Sequence, residues 1–159
     1  MNGQEDLITL LRGMGASVST AESLTGGLVC AALVAVPGAS DVVRGSIVAY
    51  TSDAKTDVLG VPADLIVRYG AVDERVASSM ANATRRRFDS TYGLATTGVA
   101  GPEPSEGKPA GTVHIAIAGP QGTESWLLDL VGGRDTIRNS TVSELLSRFV
   151  DRVREESRS

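Results

Sequence analysis

The sequence predicts an α/β domain, a three-layer α/β/α sandwich around a mixed five- or six-stranded sheet. Segments of helical period alternate with short β-branched runs. Their order, α-β-α-β-α-α-β-β-β-α, supplies helices enough to cover both faces of one sheet. Near the end, two strand-like segments flank a short turn, which adds a hairpin to the pattern.

Leu7, Leu10 and Leu11 mark the first helix, Ser17 to Ala21 the first strand, and the apolar run from about Gly26 to Val36 the second helix, closed by Pro37-Gly38. "RGSIVAY" reads as a strand ending at Tyr50, followed by the helical turn "SDAKTDVLG" and a helix from Ala63 to about Tyr69. Asp73 is placed to cap a helix whose apolar face is Val76, Met80, Ala83 and Phe88. "YGLATTGVAG" reads as a strand opening into a glycine loop, and "GTVHIAIAG" with "TESWLLDLV" as a hairpin around Pro120-Gln121-Gly122. From Asp135 a terminal helix turns Ile137, Val142, Leu145, Leu146, Phe149 and Val153 inward.

At 159 residues, 42% hydrophobic and 21% charged, residues 1–159 are expected to form a single domain. No apolar run approaches the roughly 18 to 20 residues of a membrane span, and "MNGQEDLITLLRG" carries no basic leader, so a cytoplasmic protein without membrane contact is expected. The net charge of −4, with one dense basic cluster at Arg85-Arg86-Arg87, argues against nucleic acid as a partner. One cysteine, Cys30, and one histidine, His114, leave too few soft ligands for a clustered metal site, so neither metal nor cofactor is expected.

In such folds ligands collect beyond the carboxyl ends of strands. Three loops qualify: Ser23 to Gly27, Tyr50 to Lys55, and Thr97 to Gly101. Gly26 and Gly27 would let backbone at a helix start approach an anion closely, with Thr25 beside them; the competing reading is an N-cap by Ser23 or Thr25 with glycines easing the turn. Ser23 and Thr25 are candidate nucleophiles. His114 lies mid-strand and suits a strand residue better than a catalytic base. Of fifteen cationic residues only Lys55 and Lys108 are lysines, and both lie in or beside a candidate loop. A desolvated lysine can lose its proton, which arginine cannot, so Lys55 is a candidate general base. Tyr50 could relay a proton or orient the pair.

"TTGVAGPEPSEGKPAGT" fails as a phosphate loop, because five residues separate Gly101 from Gly107 and Pro109 follows Lys108. What remains is a strand end at Thr97-Gly98 with backbone donors, then a polar stretch past Gly101 that could act as a flap. In "GGRDTIR", Arg134 and Arg138 oppose the dipole at a helix start; a bound anion would explain them, as would salt bridges to Asp129 or Asp135.

Jointly, "TAESLTGG" (20–27), "GSIVAYTSDAKTDVLGV" (45–61), "YGAVDERVASSMA" (69–81), "TTGVAGPEPSEGKPAGTV" (96–113, with the family's strand ahead of it) and "GGRDTIR" (132–138) resemble the CinA C-terminal domain family, which includes the nicotinamide-nucleotide amidohydrolases. The resemblance runs from about Val18 to Arg138. It implies hydrolysis of the carboxamide of nicotinamide mononucleotide to nicotinate mononucleotide and ammonia, without metal or cofactor, in a protein that commonly forms homodimers. Residue by residue it implies Ser23 as nucleophile, Lys55 as base and Tyr50 as the third catalytic member. It ties Thr97 and Arg134 to activity or substrate contact, with Arg138 as rival to Arg134. Thr25, Gly26, Gly27, Gly98 and Gly101 complete the expected substrate site. Two positions depart from the family pattern: Leu24 stands where cysteine is frequent, and Asp53 where asparagine is. Two other functions stay open at this point, a nucleotide-binding module without turnover and an amidase of another small amide.

Overall fold

The computed structural model describes residues 3–159. Its elements are α1 (Gly3–Gly13), β1 (Val18–Glu22), α2 (Leu28–Val34), a 3-10 turn (Ala39–Asp41), β2 (Val43–Val48), α3 (Ser52–Asp57), α4 (Ala63–Tyr69), α5 (Glu74–Arg87), β3 (Tyr92–Gly98), β4 (Thr112–Gly119), β5 (Gly122–Asp129) and α6 (Arg134–Glu156). Five strands form one mixed sheet in the order β2-β1-β3-β4-β5. β1 runs parallel to both β2 and β3, whereas β3–β4 and β4–β5 are antiparallel. The helical turn after β2 is a separate six-residue helix, giving three helices rather than two between β2 and β3.

Each face of the sheet has its own core. On one, Val18, Leu94, Ile115 and Ile117 pack with Leu7 and Leu11 of α1, Val29 and Leu33 of α2, and Ile137, Leu145 and Phe149 of α6. On the other, the strands present Ala21, Ala95, Ala116 and Ala118 to Val76, Ala77, Met80 and Ala81 of α5, with Leu59, Val61 and Ile66 beside them. Strand residues alternate faces, so bulky and small side chains segregate to opposite sides of the same strand. The small-residue face lets α5 lie close to the sheet. A Cβ on Gly93 would stand 2.1 Å from the Ala81 carbonyl oxygen.

Asp73 caps α5 by accepting from the Arg75 N–H at 2.8 Å, as its position in the sequence predicts. The hairpin turn narrows to Pro120-Gln121, since Gly119 pairs directly with Gly122. The second helix is shorter than its apolar run: it starts at Leu28, because Gly26 and Gly27 adopt φ values of 55° and 105° that helical backbone does not use. Among the described residues no helix is long and apolar enough to cross a membrane.

This topology places the ends of β1, β2 and β3 along one edge of the sheet. The β1–β2 connection runs through α2 on one face and the β2–β3 connection through α3 to α5 on the other. The crevice where the two connections part is the general ligand position of open α/β sheets. Replacing Gly93 by alanine forces a methyl into α5 backbone and is expected to cost about 2–3 kcal/mol, checked by denaturant unfolding against the parent chain.

Candidate functional site

The last residues of β1 settle the local geometry. Glu22 pairs with Thr96 of β3 and Val48 of β2, and its side chain turns to the α2 face; Ser23, the next residue, turns to the face of α3. Two consecutive polar residues thus serve different sides of the sheet.

On the α2 side, the fully buried Glu22 carboxylate is ringed by donors. Oε1 accepts from the N–H groups of Gly27 (3.1 Å) and Val29 (2.8 Å) and from the Thr25 hydroxyl (2.7 Å). Oε2 accepts from the Cys30 N–H (3.0 Å) and from the hydroxyls of Thr20 (3.1 Å) and Ser46 (3.3 Å). This carboxylate therefore caps α2 from the preceding strand and fills the positive end of the helix with the chain's own anion. The expectation of a ligand anion on the Gly26-Gly27 backbone is corrected accordingly: the Gly27 N–H is taken by Glu22, and the Gly26 N–H donates to the Ser23 carbonyl at 3.0 Å. The competing expectation of a Ser23 or Thr25 cap is corrected too, since no side chain of the Gly27 N-cap position or its hydroxyl neighbours caps α2 directly. Thr25 is fully buried; its hydroxyl links Glu22 to the Thr96 hydroxyl (2.8 Å), which accepts in turn from the Ser23 N–H at 3.3 Å. The turn that carries Ser23 is thereby pinned from behind.

On the α3 side, Thr51 caps the helix by accepting from the Ala54 N–H at 3.2 Å, and this short helix aims Lys55 at the end of β1. Lys55 is only 2% exposed and Ser23 6%. Lys55 Nζ lies 3.0 Å from Ser23 Oγ, 3.1 Å from the Ala49 carbonyl oxygen and 3.3 Å from that of Tyr50. Burial lowers the Lys55 pKa from 10.5 to about 8, against an opposing pull from the Glu106 carboxylate. The three partners fix what the amine can do. Two are carbonyls, which only accept, so they hold two N–H bonds in either protonation state. The third position faces a hydroxyl, and on loss of a proton the lone pair points at Ser23.

Tyr50 enters this arrangement through its backbone carbonyl. Its side chain is 57% exposed, and its hydroxyl accepts from Arg134 Nη2 at 3.0 Å instead of meeting Ser23 or Lys55. Arg134 also donates from Nη1 to the Gly101 carbonyl at 2.6 Å, so the guanidinium bridges the loops after β2 and β3. Ser23, Leu24, Tyr50, Gly98, Gly101, Glu103 and Arg134 line a cleft of about 240 Å³ with Val99, Ala100 and Ser105. Arg138 does not reach this cleft. It donates from Nε to the Leu24 carbonyl at 2.8 Å and from Nη2 to that of Thr25 at 3.4 Å, bracing the turn from the α6 side. Neither arginine pairs with Asp129 or Asp135 among the described residues. Thr97 lies on β3 one residue beyond the position paired with Glu22; it is 1% exposed and its hydroxyl donates to the Ala71 carbonyl at 2.9 Å, so it braces the wall instead of facing the cleft.

His114 sits within β4 opposite Thr97, with its pKa lowered chiefly by burial. A larger cleft of about 330 Å³, between α1 and the end of α6, contains none of these groups. Among the described residues no group of three or more His, Cys, Asp or Glu side chains converges to hold a metal ion. Sequence reasoning missed three contributors: Glu22, Thr96 and Glu106. Glu22 had a legible signal, an acid closing a strand just ahead of a glycine-led helix start. Thr96 had none that separated it from Thr97.

A parallel-edge α/β sandwich with a buried amine on a strand-end serine defines the class. The chain belongs to the CinA C-terminal domain family, whose model matches residues 2–153. It is 48% identical over 140 residues to a CinA-like protein of Frankia casuarinae, covering 88% of this chain and 32% of that protein. It is 44% identical over 144 residues to a CinA-like protein of an Anaeromyxobacter species, covering 90% of this chain and 35% of that protein. The chain thus spans about a third of the length of the curated relatives it matches. Among solved structures, the competence/damage inducible protein CihA of Agrobacterium tumefaciens superposes with a TM-score of 0.88 at 37% identity, covering 95% of this chain and 96% of that one. A CinA superfamily protein of Escherichia coli gives a TM-score of 0.91 at 32% identity, covering 94% and 87%.

Two outcomes follow from this geometry. Glu22→Ala orphans three N–H groups, that of Val29 buried and those of Gly27 and Cys30 half-buried, and is expected to cost about 3 kcal/mol in denaturant unfolding. Because the Lys55 pKa is lower in the folded chain than in the unfolded one, the folded chain binds fewer protons between about pH 8 and 10.5, and stability rises with pH across that window. Below it the buried ammonium is a constant cost. Measured against Lys55→Met, the parent chain should therefore gain unfolding free energy between pH 7.5 and 10, with a flat difference below pH 7.

Proposed function

We propose that this chain is an amidohydrolase that converts nicotinamide mononucleotide to nicotinate mononucleotide and ammonia through Ser23 and Lys55. The observation that carries the reading is the Lys55 amine, buried and held on two carbonyls with its remaining position 3.0 Å from Ser23 Oγ. Family membership supports the class of chemistry; the substrate comes from the resemblance set out above.

In the reaction, neutral Lys55 takes the Ser23 proton as Oγ attacks the amide carbon. The tetrahedral oxyanion collapses, the C–N bond breaks, and the proton on Lys55 passes to the departing nitrogen, which leaves as ammonia. An ester between Ser23 and the nicotinoyl group remains. Water then attacks this ester, gives a proton to Lys55, and the collapse returns that proton to Ser23 Oγ with release of the carboxylic acid, whose own proton passes to solvent to leave the carboxylate. The oxyanion needs donors. Among the described residues the N–H groups of Leu24 and Thr25 carry no acceptor, unlike those of Gly26 and Gly27, so the turn offers its donors immediately after the serine. One such donor is worth on the order of 3 kcal/mol in comparable sites. Arg134, exposed at the opposite wall and without a carboxylate partner among the described residues, is the group we assign to the substrate phosphate, and Tyr50 orients it.

Ammonia release from nicotinamide mononucleotide, nicotinamide and glutamine tests the reading, with thermal stabilisation measured in parallel. The parent chain should deamidate the mononucleotide, with kcat/KM rising toward alkaline pH around an apparent pKa of about 8. Ser23→Ala and Lys55→Met should each lower kcat by roughly 10³-fold or more. Near-normal turnover in either variant would end the scheme, stabilisation without ammonia would leave a binding module, and ammonia from another amide would change the substrate.

A further inference from the structure

The stretch after β3 carries a glutamate where backbone geometry argues against one. Ser105 and Lys108 pair across a two-residue turn, with the Ser105 N–H donating to the Lys108 carbonyl at 3.0 Å and the Lys108 N–H to the Ser105 carbonyl at 2.9 Å. The residues between them, Glu106 and Gly107, both have positive φ, 54° and 72°. Tight turns of this kind favour Asn, Asp or Gly at both central positions, and a side chain longer than these in the left-handed region persists where its surroundings hold it.

What holds Glu106 is the segment between α4 and α5. Its Oε1 accepts from the Ala71 N–H at 2.9 Å and its Oε2 from the Val72 N–H at 3.1 Å. Lys108 donates to the Val72 carbonyl and lies 3.9 Å from Glu106. The receiving backbone is shaped for the carboxylate: Gly70 has a φ of 82°, and a Cβ there would stand 2.5 Å from Glu106 Oε2. The same segment is tied from below by the Thr97 hydroxyl on the Ala71 carbonyl. A charged clasp therefore joins the loop that contributes Gly101, Glu103 and Ser105 to the cleft with the face of the sheet that holds Lys55. Lys55 itself is faced by Ser23 from the end of β1 and by the Ala49 and Tyr50 carbonyls from the β2–α3 connection, and the charged side chain whose field reaches it is Glu106.

We propose that Glu106 is a positioning residue for the amide site: its carboxylate clasps the loop after β3 onto the Ala71-Val72 backbone and sets the cleft wall over Ser23. The proposal rests on the amidohydrolase reading for its kinetic consequences, while the clasp itself is independent of it. Glu106→Ala should raise KM for nicotinamide mononucleotide at least tenfold with kcat changed less than threefold. Glu106→Gln, which keeps one acceptor but no charge, should recover part of KM and move the alkaline rise of kcat/KM to lower pH. Amide hydrogen exchange at Ala71 and Val72 should quicken by tenfold or more in Glu106→Ala and also in Gly70→Ala, which leaves the glutamate in place and blocks its seat. Unchanged exchange and unchanged KM in Glu106→Ala would overturn the proposal, as would a loss of kcat and melting temperature together with KM and pH profile intact. Should the parent chain release no ammonia from any amide, the functional reading falls and exchange alone decides the clasp.

Discussion

The site depends on the pleat at the end of β1, where Glu22 and Ser23 leave the sheet on opposite faces. A carboxylate and a hydroxyl that are neighbours in sequence are thereby separated by the thickness of the sheet, so the acid can anchor α2 without entering the cleft. Were the register shifted by one residue, the acid would face Lys55 and pair with it, holding the amine protonated and removing the role as a base proposed for it. The fold reinforces the register by parallel pairing on both sides, to β2 and to β3.

Burial then does the chemical tuning. Lys55 is drawn out of water by α3 and held by carbonyl oxygens, dipoles that stabilise N–H bonds without the full field of an opposing carboxylate. The Glu106 field offsets part of that desolvation, which leaves the amine near the physiological range. An amine much lower would be a poor base, and one much higher would be fully protonated at neutral pH.

Much of this was legible in the amino-acid order. The mixed three-layer sandwich, the inward face of α6, that of α5 except for Phe88, which stands half-buried at the C-cap outside both cores, and the Asp73 cap followed from periodicity and capping chemistry, because those signals are local. The pairing of Ser23 with Lys55 is not local: 32 residues separate them, and lysine scarcity pointed to Lys55 without saying what it touched. The glycine turn misled for a physical reason. Its backbone donors read as free, whereas a strand residue ahead of them supplies the acceptor, an arrangement that only the three-dimensional return of α2 past β1 reveals. The choice between Arg134 and Arg138 was equally closed to sequence, since one helical turn decides which guanidinium overlooks the cleft and which clamps the Leu24-Thr25 carbonyls. Glu106 stood in a polar loop with nothing to mark it until its left-handed backbone was seen.

A helix start that carries its own carboxylate has a practical consequence for handling such a protein. Phosphate or sulfate from a buffer finds no vacancy at the beginning of α2, because the donors there are already engaged by Glu22 in a fully buried position. The exposed cation Arg134 lies on the other rim of the cleft, so added salt screens that guanidinium and leaves the start of α2 untouched.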